Sequence, residues 1–536
     1  MPLSPPGRSP RVSIIIPVYN GTNYMRAAIN SALAQDYANT EVIVVNDGSR
    51  DEGATEAVAL SYGERIRYIA KPNGGVASAL NAGIAAMTGD VFCWLSHDDT
   101  HLPHKTSRQV AIWQAAGCPD EVYFSDYRLI DAAGTHITDV RLDHAMLEAK
   151  PLYALLRGSI HGCSIFVPRR LFERVGVFDK GLPTTQDYDL WHRMIRGHRF
   201  RHIPEVLIES RWHDEQGSKK IDHVVEATAM WTRFVEGLTE AEMTVLEGSP
   251  FLFLSRMARF MADNKLPDAG RRFEAMAEEV VARTLVSVVI PCFNAPDMTV
   301  SAILSAAEQT HPHVEVIVVD DGSTEDMAPV EAAVAALGPR GRFLRQPNAG
   351  PAAARNAGWA VAQGRYVAFL DADDLFLPEK ITRQLRFMEV EGLALSHTSY
   401  MRFDLPSGSF TRMDSGVGNR FPAIIGSCGI ATPTVMLRRA LREDGFVFPD
   451  TLRVGEDVLL WLRVGSRHPL AGLDEALTVV RTSGSSNAYD PAKLRRGVAG
   501  ILAGVREDPE LARHRAQVDQ LEAFLTSLES KEAAHA

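Results

Sequence analysis

The sequence predicts two α/β domains, each built on a parallel sheet, with helices between them and after them. Two observations carry this prediction. Short β-branched runs such as Val12–Ile16 and Val286–Ile290 have the length and composition of strands that are buried on both faces. A helical pattern follows each run, at 23–35 and 298–309. Strands that alternate with helices indicate a parallel sheet.

An internal repeat sets the domain organisation. Ser13–Asn20 recurs as Ser287–Asn294, and Asp47–Ser49 recurs as Asp321–Ser323. Further matching pairs are Asn81 with Asn356, Asp98 with Asp373, Gln186 with Glu456, Asp187 with Asp457, Trp191 with Trp461 and Arg211 with Arg481. A repeat of this length predicts two copies of one domain. We assign the first copy to 11–220 and the second to 285–490, with a helical linker at 221–284 and a helical tail at 491–536.

The remaining strands of each copy are predicted in the same order. They are 41–45, 67–70 and 91–95 in the first copy, and 315–319, 342–345 and 366–370 in the second. The polar motifs of both copies fall at the carboxyl ends of these strands. Ligands bind at that edge in parallel α/β sheets, so we expect a site there in each copy.

The tail carries an apolar stripe at helical spacing. Its residues are Leu494, Val498, Ile501, Leu502, Val505, Val518, Leu521, Phe524, Leu525 and Leu528. Such a stripe predicts a face that packs in a core or in the seam of a homodimer. Contact with a membrane surface is the alternative interpretation.

The composition excludes several classes of protein. The chain has 536 residues, of which 46% are hydrophobic and 23% charged, as is usual for soluble domains. A net charge of -11 argues against a nucleic-acid partner. No phosphate-binding GxxxxGK[ST] loop occurs, and no GxGxxG follows the first strand. The sequence therefore does not support assignment to the kinases or the dinucleotide dehydrogenases.

The sequence shows no recognisable targeting signal and no closely spaced pair of cysteines. The first ten residues lack the apolar core of a signal peptide, and no apolar run is long enough to span a bilayer. The five cysteines are far apart and form no CxxC pair, which suits free thiols in a reducing compartment. We therefore expect a cytoplasmic protein, at most peripheral to the inner face of the membrane.

Acidic residues are the main candidates for chemistry. Leu370–Asp374 carries three carboxylates in four residues, which repel each other unless a cation or donors offset them. Mg²⁺ suits such oxygen ligands; an acidic turn or helix cap before Leu377 is the alternative. Asp187 and Asp457 lie at the start of helical patterns. Each is either an acidic residue that stabilises a helix N-terminus or a general base, and the sequence leaves both interpretations open. Asp47–Ser49 is either an ordinary turn or an acceptor for a nucleobase or ribose.

Taken in order, these motifs resemble family 2 glycosyltransferases, which have the GT-A fold. The resemblance rests on the opening strand, Asp-Gly-Ser, Asn-Ala-Gly, the acidic cluster, Gln/Glu-Asp and a downstream arginine. It covers most of both copies. It implies a nucleoside-diphosphate sugar donor, Mg²⁺ or Mn²⁺ as cofactor, and transfer with inversion.

The resemblance also implies a role for particular residues. The implied nucleotide-binding residues are Pro17, Tyr19, Asn46 and Asp47 in the first copy and Pro291, Phe293, Asp320 and Asp321 in the second. The implied catalytic bases are Asp187 and Asp457. The implied metal-side residues are Asp98 and His213 in the first copy and Asp371 and Asp373 in the second. The copies depart from the pattern at Ser96, which replaces an expected aspartate, and at Ser483, which replaces an expected histidine.

The function expected from the resemblance is that of a bifunctional inverting glycosyltransferase of the hexosyltransferase type. Its acceptor would be a hydroxyl of a glycan or a lipid-linked glycan in bacterial surface polysaccharide synthesis. Two alternatives stay open. One copy could be a sugar-binding or scaffolding module, or the chain could be a sugar nucleotidyltransferase, which would release pyrophosphate.

Overall fold

The computed structural model describes residues 9–214, 221–482 and 491–535. These residues form two compact units. The first comprises Met1–Leu246 and Arg256–Phe273, and the second comprises Glu247–Ser255 and Glu274–Ala536. Each unit contains one copy of the repeat. The predicted boundaries at 220, 284 and 490 remain predictions.

The first unit contains two sheets. Its strands are β1 (Val12–Val18), β2 (Thr40–Asn46), β3 (Arg67–Ala70), β4 (Val91–Trp94), β5 (Thr100–His101), β6 (Val122–Ile130), β7 (His136–Val140), β8 (Val167–Pro168) and β9 (Phe200–Arg211). One sheet has the order β3-β2-β1-β4-β8 and the other has the order β5-β9-β6-β7. Strands β1 to β4 pair in parallel, as predicted, whereas β8 is antiparallel to β4.

The first strand explains how the polar edge is reached. Every residue of β1 is buried, which fits its unbroken apolar sequence. Pro17 lies past Ile15, the last residue of β1 that pairs with β4. Proline has no N–H, so it is tolerated here, where the strand has a neighbour on one side only. The chain then leaves the sheet at its carboxyl edge.

Helices cover this sheet and continue into the segment between the copies. They are α1 (Met25–Leu33), α2 (Ala54–Leu60), α3 (Gly75–Ala86), α4 (Lys105–Ala115), α5 (His144–Ala149), α6 (Leu152–Leu156), α7 (Arg169–Val175), α8 (Gln186–Ile195), α9 (Ile221–Glu236), α10 (Glu240–Glu247), α11 (Pro250–Asp263) and α12 (Pro267–Arg283). Helix α3 packs closely on β1, since a Cβ on Gly83 would meet Ile15 at 2.4 Å.

The second unit repeats the strand order in one continuous sheet. Its strands are β10 (Val286–Cys292), β11 (Val314–Asp320), β12 (Gly341–Arg345), β13 (Tyr366–Phe369), β14 (Leu375–Phe376), β15 (Leu395–Asp404), β16 (Ser409–Met413), β17 (Met436–Arg438) and β18 (Leu470–Thr482). The order is β12-β11-β10-β13-β17-β15-β18-β14, and β16 pairs with β15. Strand β17 bridges the two halves of this sheet by pairing with both β13 and β15.

The tail belongs to the core of the second unit. The helices of this unit are α13 (Pro296–Ala307), α14 (Ala328–Ala336), α15 (Pro351–Val361), α16 (Lys380–Glu391), α17 (Glu456–Gly465), α18 (Pro491–Glu507), α19 (Pro509–Ala512) and α20 (Arg515–His535). Tail residues Val498, Ile501, Val505 and Leu521 are buried with Trp461 in one cluster. These residues of the stripe therefore pack in the core, whereas Phe524 is 44% exposed, and association of two chains through the tail remains a prediction.

The predicted linker and tail are helical, as expected. Within the described ranges, no helix is both long enough and apolar enough to cross a membrane.

Candidate active site

Five residues predicted from the sequence line a single cavity in the first copy. The cavity has a volume of about 620 Å³ and lies at the carboxyl ends of β1, β2 and β4. Pro17, Tyr19, Asp47, Asp98 and Asp187 all face it. They come from four separate segments of the sequence, and the sheet topology brings them together as predicted for such an edge.

Asp47, a predicted nucleotide-binding residue, fixes a loop at the edge of this cavity. Its carboxylate accepts hydrogen bonds from the backbone N–H groups of Gly74 and Gly75, the shorter at 2.7 Å, and from the Lys71 ammonium. Asn46 lies beside it but not in the lining. Its amide donates to the Tyr68 hydroxyl at 2.9 Å. The loop before α3 is thus held in place by a buried carboxylate.

Asp98 and His213 form a pair at the metal side. Nε2 of His213 lies 2.9 Å from Oδ2 of Asp98, and both side chains are largely buried. Arg211 supports the pair by donating from Nε to the Asp98 carbonyl oxygen at 2.9 Å. The two predicted metal-side residues of the first copy are therefore in direct contact.

The neighbouring carboxylate, Asp99, is buried and has an unusual pKa. Burial, together with the adjacent Asp98, raises its pKa to about 7. Oδ1 of Asp99 accepts the Arg211 N–H at 2.8 Å, and Oδ2 accepts the Cys163 thiol at 3.1 Å. One ligand atom each from Asp99, His161 and Cys163 lies within 4.8 Å of the other two.

Asp187, the predicted base of the first copy, lies in the cavity wall and has a raised pKa. It lies in the first turn of α8, lines the cavity and accepts the Tyr188 N–H at 2.9 Å. Burial raises its pKa to about 6, which outweighs the opposing effect of the hydrogen bonds that it accepts. A carboxylate with this pKa is ionised at neutral pH and is a stronger base than an exposed aspartate.

The nucleotide side of the second copy has the same arrangement. Asp321 accepts from the N–H groups of Ala349 and Gly350, at 2.9 and 2.7 Å. Asp320 is fully buried and pairs with Arg345 at 3.3 Å. Of the other two predicted residues, Pro291 lies in β10 and Phe293, which is 48% exposed, follows that strand.

The acidic cluster of the second copy contains an arginine that the sequence analysis missed. Arg355 donates to Asp371 at 2.7 Å and to Glu456 at 2.9 Å, and its side chain is only 7% exposed. Burial and neighbouring Asp371 raise the pKa of Asp373. The same causes raise the pKa of Asp374 well above its ordinary value. Three carboxylates thus share one edge with one buried cation beside them.

Asp457, the predicted base of the second copy, has a partner that Asp187 lacks. Its Oδ2 accepts the Thr432 hydroxyl at 2.6 Å, and its Oδ1 accepts the Val458 N–H at 2.7 Å. The aligned residue of the first copy is Gly162, which has no side chain to offer. The second copy's predicted histidine position, Ser483, lies outside the described residues.

The donor sets at both metal sides suit a hard divalent cation. Asp98 with His213 offers oxygen and nitrogen ligands, and Asp371 with Asp373 offers oxygen ligands, at the carboxyl edge of each sheet. Burial and the neighbouring carboxylates raise the pKa values of Asp373 and Asp374. A divalent cation would offset the negative charge of these carboxylates.

Several site residues carried no recognisable motif. Arg355 could have been found by comparing the copies, since Leu80 occupies the aligned position beside the shared asparagine. His161, Cys163 and Thr432 lie near short 3₁₀ turns at 162–164 and 432–434, where the copies share little sequence. Their position at the site depends on how the chain folds, so the sequence motifs did not indicate it.

Each copy thus has a parallel sheet with acidic residues at its carboxyl edge, as the resemblance to GT-A-type transferases predicts. The family model for glycosyl transferase family 2 matches residues 13–166 and 287–445. The chain belongs to this family, has the GT-A fold in each matched region and is a glycosyltransferase. Members of this class commonly use a divalent metal.

Several known glycosyltransferases are similar to this chain in sequence or structure. A Rickettsia felis glycosyltransferase is 45% identical over 512 residues, covering 94% of this chain and 85% of the relative. An Escherichia coli UDP-Glc:alpha-D-GlcNAc-diphosphoundecaprenol beta-1,3-glucosyltransferase is 33% identical over 189 residues, covering 34% of this chain and 71% of that relative. S. aureus TarS 1-349, solved with UDP-GlcNAc, is 22% identical with a TM-score of 0.37 and covers 46% of this chain and 72% of its own.

Proposed function

We propose that the chain is a bifunctional inverting glycosyltransferase with one transfer site in each copy. The observation that carries the proposal is the first cavity, where the Asp187 carboxylate and the Asp98 cluster face the same space. The second copy supports the proposal with its own acidic cluster. There Arg355 joins Asp371 to Glu456, the residue before Asp457.

The donor would be a nucleoside-diphosphate sugar. Its nucleoside would lie along Pro17, Tyr19 and Asp47 in the first copy, and along Pro291, Phe293 and Asp321 in the second, whereas Asn46 lies outside the cavity lining and Asp320 is fully buried. Its diphosphate would lie at the metal side. Mg²⁺ or Mn²⁺, held by Asp98 with His213 or by Asp371 with Asp373, would offset the charge of the leaving diphosphate.

The base then accounts for the chemistry. Asp187 or Asp457 removes the proton of the acceptor hydroxyl as that oxygen forms its bond to the anomeric carbon. The bond from the anomeric carbon to the diphosphate oxygen breaks on the opposite face, so the anomeric configuration inverts. The pKa of about 6 at Asp187 favours this step at neutral pH.

The acceptor proposed is a glycan or a lipid-linked glycan of bacterial surface polysaccharide synthesis. Support comes from the Escherichia coli relative, whose name specifies a diphosphoundecaprenol-linked acceptor. A lipid-linked acceptor would bring a cytoplasmic enzyme to the inner face of the membrane, where peripheral contact would suffice.

The test is a donor screen on the full chain and on two base variants. Nucleoside diphosphate release is measured for a panel of nucleotide sugars with and without Mn²⁺. We expect Asp187→Asn and Asp457→Asn each to lower one distinct activity by roughly 10²–10⁴-fold. The exposed controls Asp36→Asn and Asp444→Asn should change neither.

Each other outcome points to a named alternative. If one base variant retains every activity, that copy is a binding or scaffolding module. Release of pyrophosphate in place of a nucleoside diphosphate would identify a sugar nucleotidyltransferase. Full activity after chelation of divalent ions would contradict the proposed cofactor.

A further inference from the structure

Three different kinds of metal ligand converge beside the acidic cluster of the first copy. They are the Asp99 carboxylate, the His161 imidazole and the Cys163 thiol, with one ligand atom of each within 4.8 Å of the others. Across residues 9–214, 221–482 and 491–535, this is the one such group of three or more. All three residues line the cavity, so an ion can reach them from solvent.

We propose that these three residues bind Zn²⁺, or a divalent cation of the same borderline-soft class. A set of one sulfur, one nitrogen and one oxygen ligand selects this class, whereas Mg²⁺ and Mn²⁺ prefer oxygen. The site is separate from the hard-cation site proposed at Asp98 and His213. Three protein ligands would leave the fourth position of a tetrahedral ion open to water from the cavity.

The thiol and the carboxylate are already close to the required separation. Cys163 Sγ donates to Asp99 Oδ2 at 3.1 Å. Tetrahedral zinc with Zn–S near 2.3 Å and Zn–O near 2.1 Å holds such atoms about 3.6 Å apart. The ion would replace the thiol proton, which leaves to solvent, and the two atoms would separate by about half an ångström.

Both ring nitrogens of His161 have a hydrogen-bond partner, which holds the imidazole beside the other two ligands. The Cys163 N–H donates to His161 Nδ1 at 3.2 Å, so Nδ1 carries a lone pair in this tautomer. Nε2 therefore bears the proton and donates to the Ser210 hydroxyl at 2.9 Å. An outer partner of this kind fixes the ring of a metal-binding histidine. Nδ1 would exchange its long backbone contact for the ion.

The second copy supplies a natural comparison. Asp374 aligns with Asp99, but Ala431 and Pro433 stand where His161 and Cys163 stand in the first copy. Neither residue has a ligand atom in its side chain, so the second copy lacks this site. We expect one borderline-soft ion per chain at this position.

Cobalt titration of the full, metal-free chain tests the proposal, because a Co²⁺–thiolate bond absorbs in the near ultraviolet. We expect a saturable charge-transfer band whose final intensity corresponds to one thiolate-bound Co²⁺ per chain and which Zn²⁺ abolishes. Cys163→Ser should abolish the band, and His161→Gln should weaken binding by at least ~10–100-fold, the cost of losing even an outer-shell partner. Cys118→Ser, a half-buried thiol outside the cavity, is the matched control and should keep the band.

Absence of a band in the native chain, or its persistence in Cys163→Ser, would overturn the proposal. Circular dichroism of each variant separates a lost ligand from a lost fold, and the isosteric His161→Gln provides a second, independent variant. The result does not depend on the transfer assay, because cobalt binding is read without donor or acceptor. The zinc site and the proposed function can therefore fail separately.

Discussion

The two edges of each parallel sheet differ in how closely the copies agree. At the amino edge, Glu41 accepts from Ser13 and from the Gly89 N–H at 3.0 Å. Glu315 accepts from Ser287 at 2.5 Å and from the Gly364 N–H at 3.2 Å in the second copy. The same residues make the same bonds, which ties strands β1 and β2 to the turn before β4 in one copy and their counterparts in the other.

At the carboxyl edge, three aligned positions differ together. Arg355, Asp371 and Glu456 are in contact in the second copy and are all charged. The aligned residues of the first copy are all uncharged: Leu80, Ser96 and Gln186. Removing one partner of a buried ion pair leaves an uncompensated charge, so such residues are expected to change as a set. The two copies therefore share the bonds that hold the amino edge of the sheet, whereas the charges at the carboxyl edge differ between them.

The largest effect is expected when this set is broken in the second copy. Arg355→Leu leaves Asp371 and Glu456 facing each other without a cation and should lower the free energy of unfolding by about 3–5 kcal/mol. Urea unfolding of the full chain measures the shift. The triple variant Arg355→Leu, Asp371→Ser, Glu456→Gln, which copies the first site, should recover most of the loss. Equal losses in the single and triple variants would contradict the idea of a coupled set.

The reciprocal change in the first copy should be nearly as costly. Leu80 is fully buried, and neither Ser96 nor Gln186 can neutralise an arginine there. Leu80→Arg is expected to cost about 3 kcal/mol, and adding Ser96→Asp and Gln186→Glu should reduce that cost. The same urea experiment measures both variants. Tolerance of the single substitution would show that this edge of the first copy is open to solvent.

A smaller effect is expected from the partner of the second base. Thr432→Val removes the hydroxyl that bonds Asp457 at 2.6 Å. This hydrogen bond holds the Asp457 carboxylate in place, and misplacement of a catalytic group is costly, so the Asp457-dependent kcat/KM should fall by roughly 10–100-fold. Thr432→Ser keeps the hydroxyl and should retain most activity. The Asp187-dependent activity serves as an internal control, because Gly162 occupies the aligned position of the first copy.

The smallest effect is expected in the pH dependence of the transfer rate at the first site. Asp187 must be ionised to accept a proton, and its pKa is raised to about 6 by burial. The Asp187-dependent rate should therefore be constant above pH 7 and fall as the pH drops through about 6, approaching tenfold per pH unit. A pH–rate profile at saturating donor measures this. A profile that stays flat down to pH 5 would mean that another group is the base.

The sequence predicted the fold well because its signals are local. The buried runs in β1, β2 and β4 and their counterparts were predicted within one or two residues, and the helical linker and tail were confirmed. It also predicted that Asp47 and Asp98 would share an edge, since each follows a strand and the carboxyl ends of parallel strands meet there. It did not predict Arg355 beside Asp371, because that contact joins a helix face to a strand end.

Sequence alone therefore determined the family, the duplication and the edge at which each site lies, because strand periodicity and motif order are properties of contiguous residues. Only the tertiary structure decided which carboxylates are neutralised and by which partner. The short turn at 162–164 brings Cys163 to Asp99, and Thr432 in the corresponding turn of the second copy contacts Asp457 instead. Burial and distance between remote segments set these contacts, and both arise from packing.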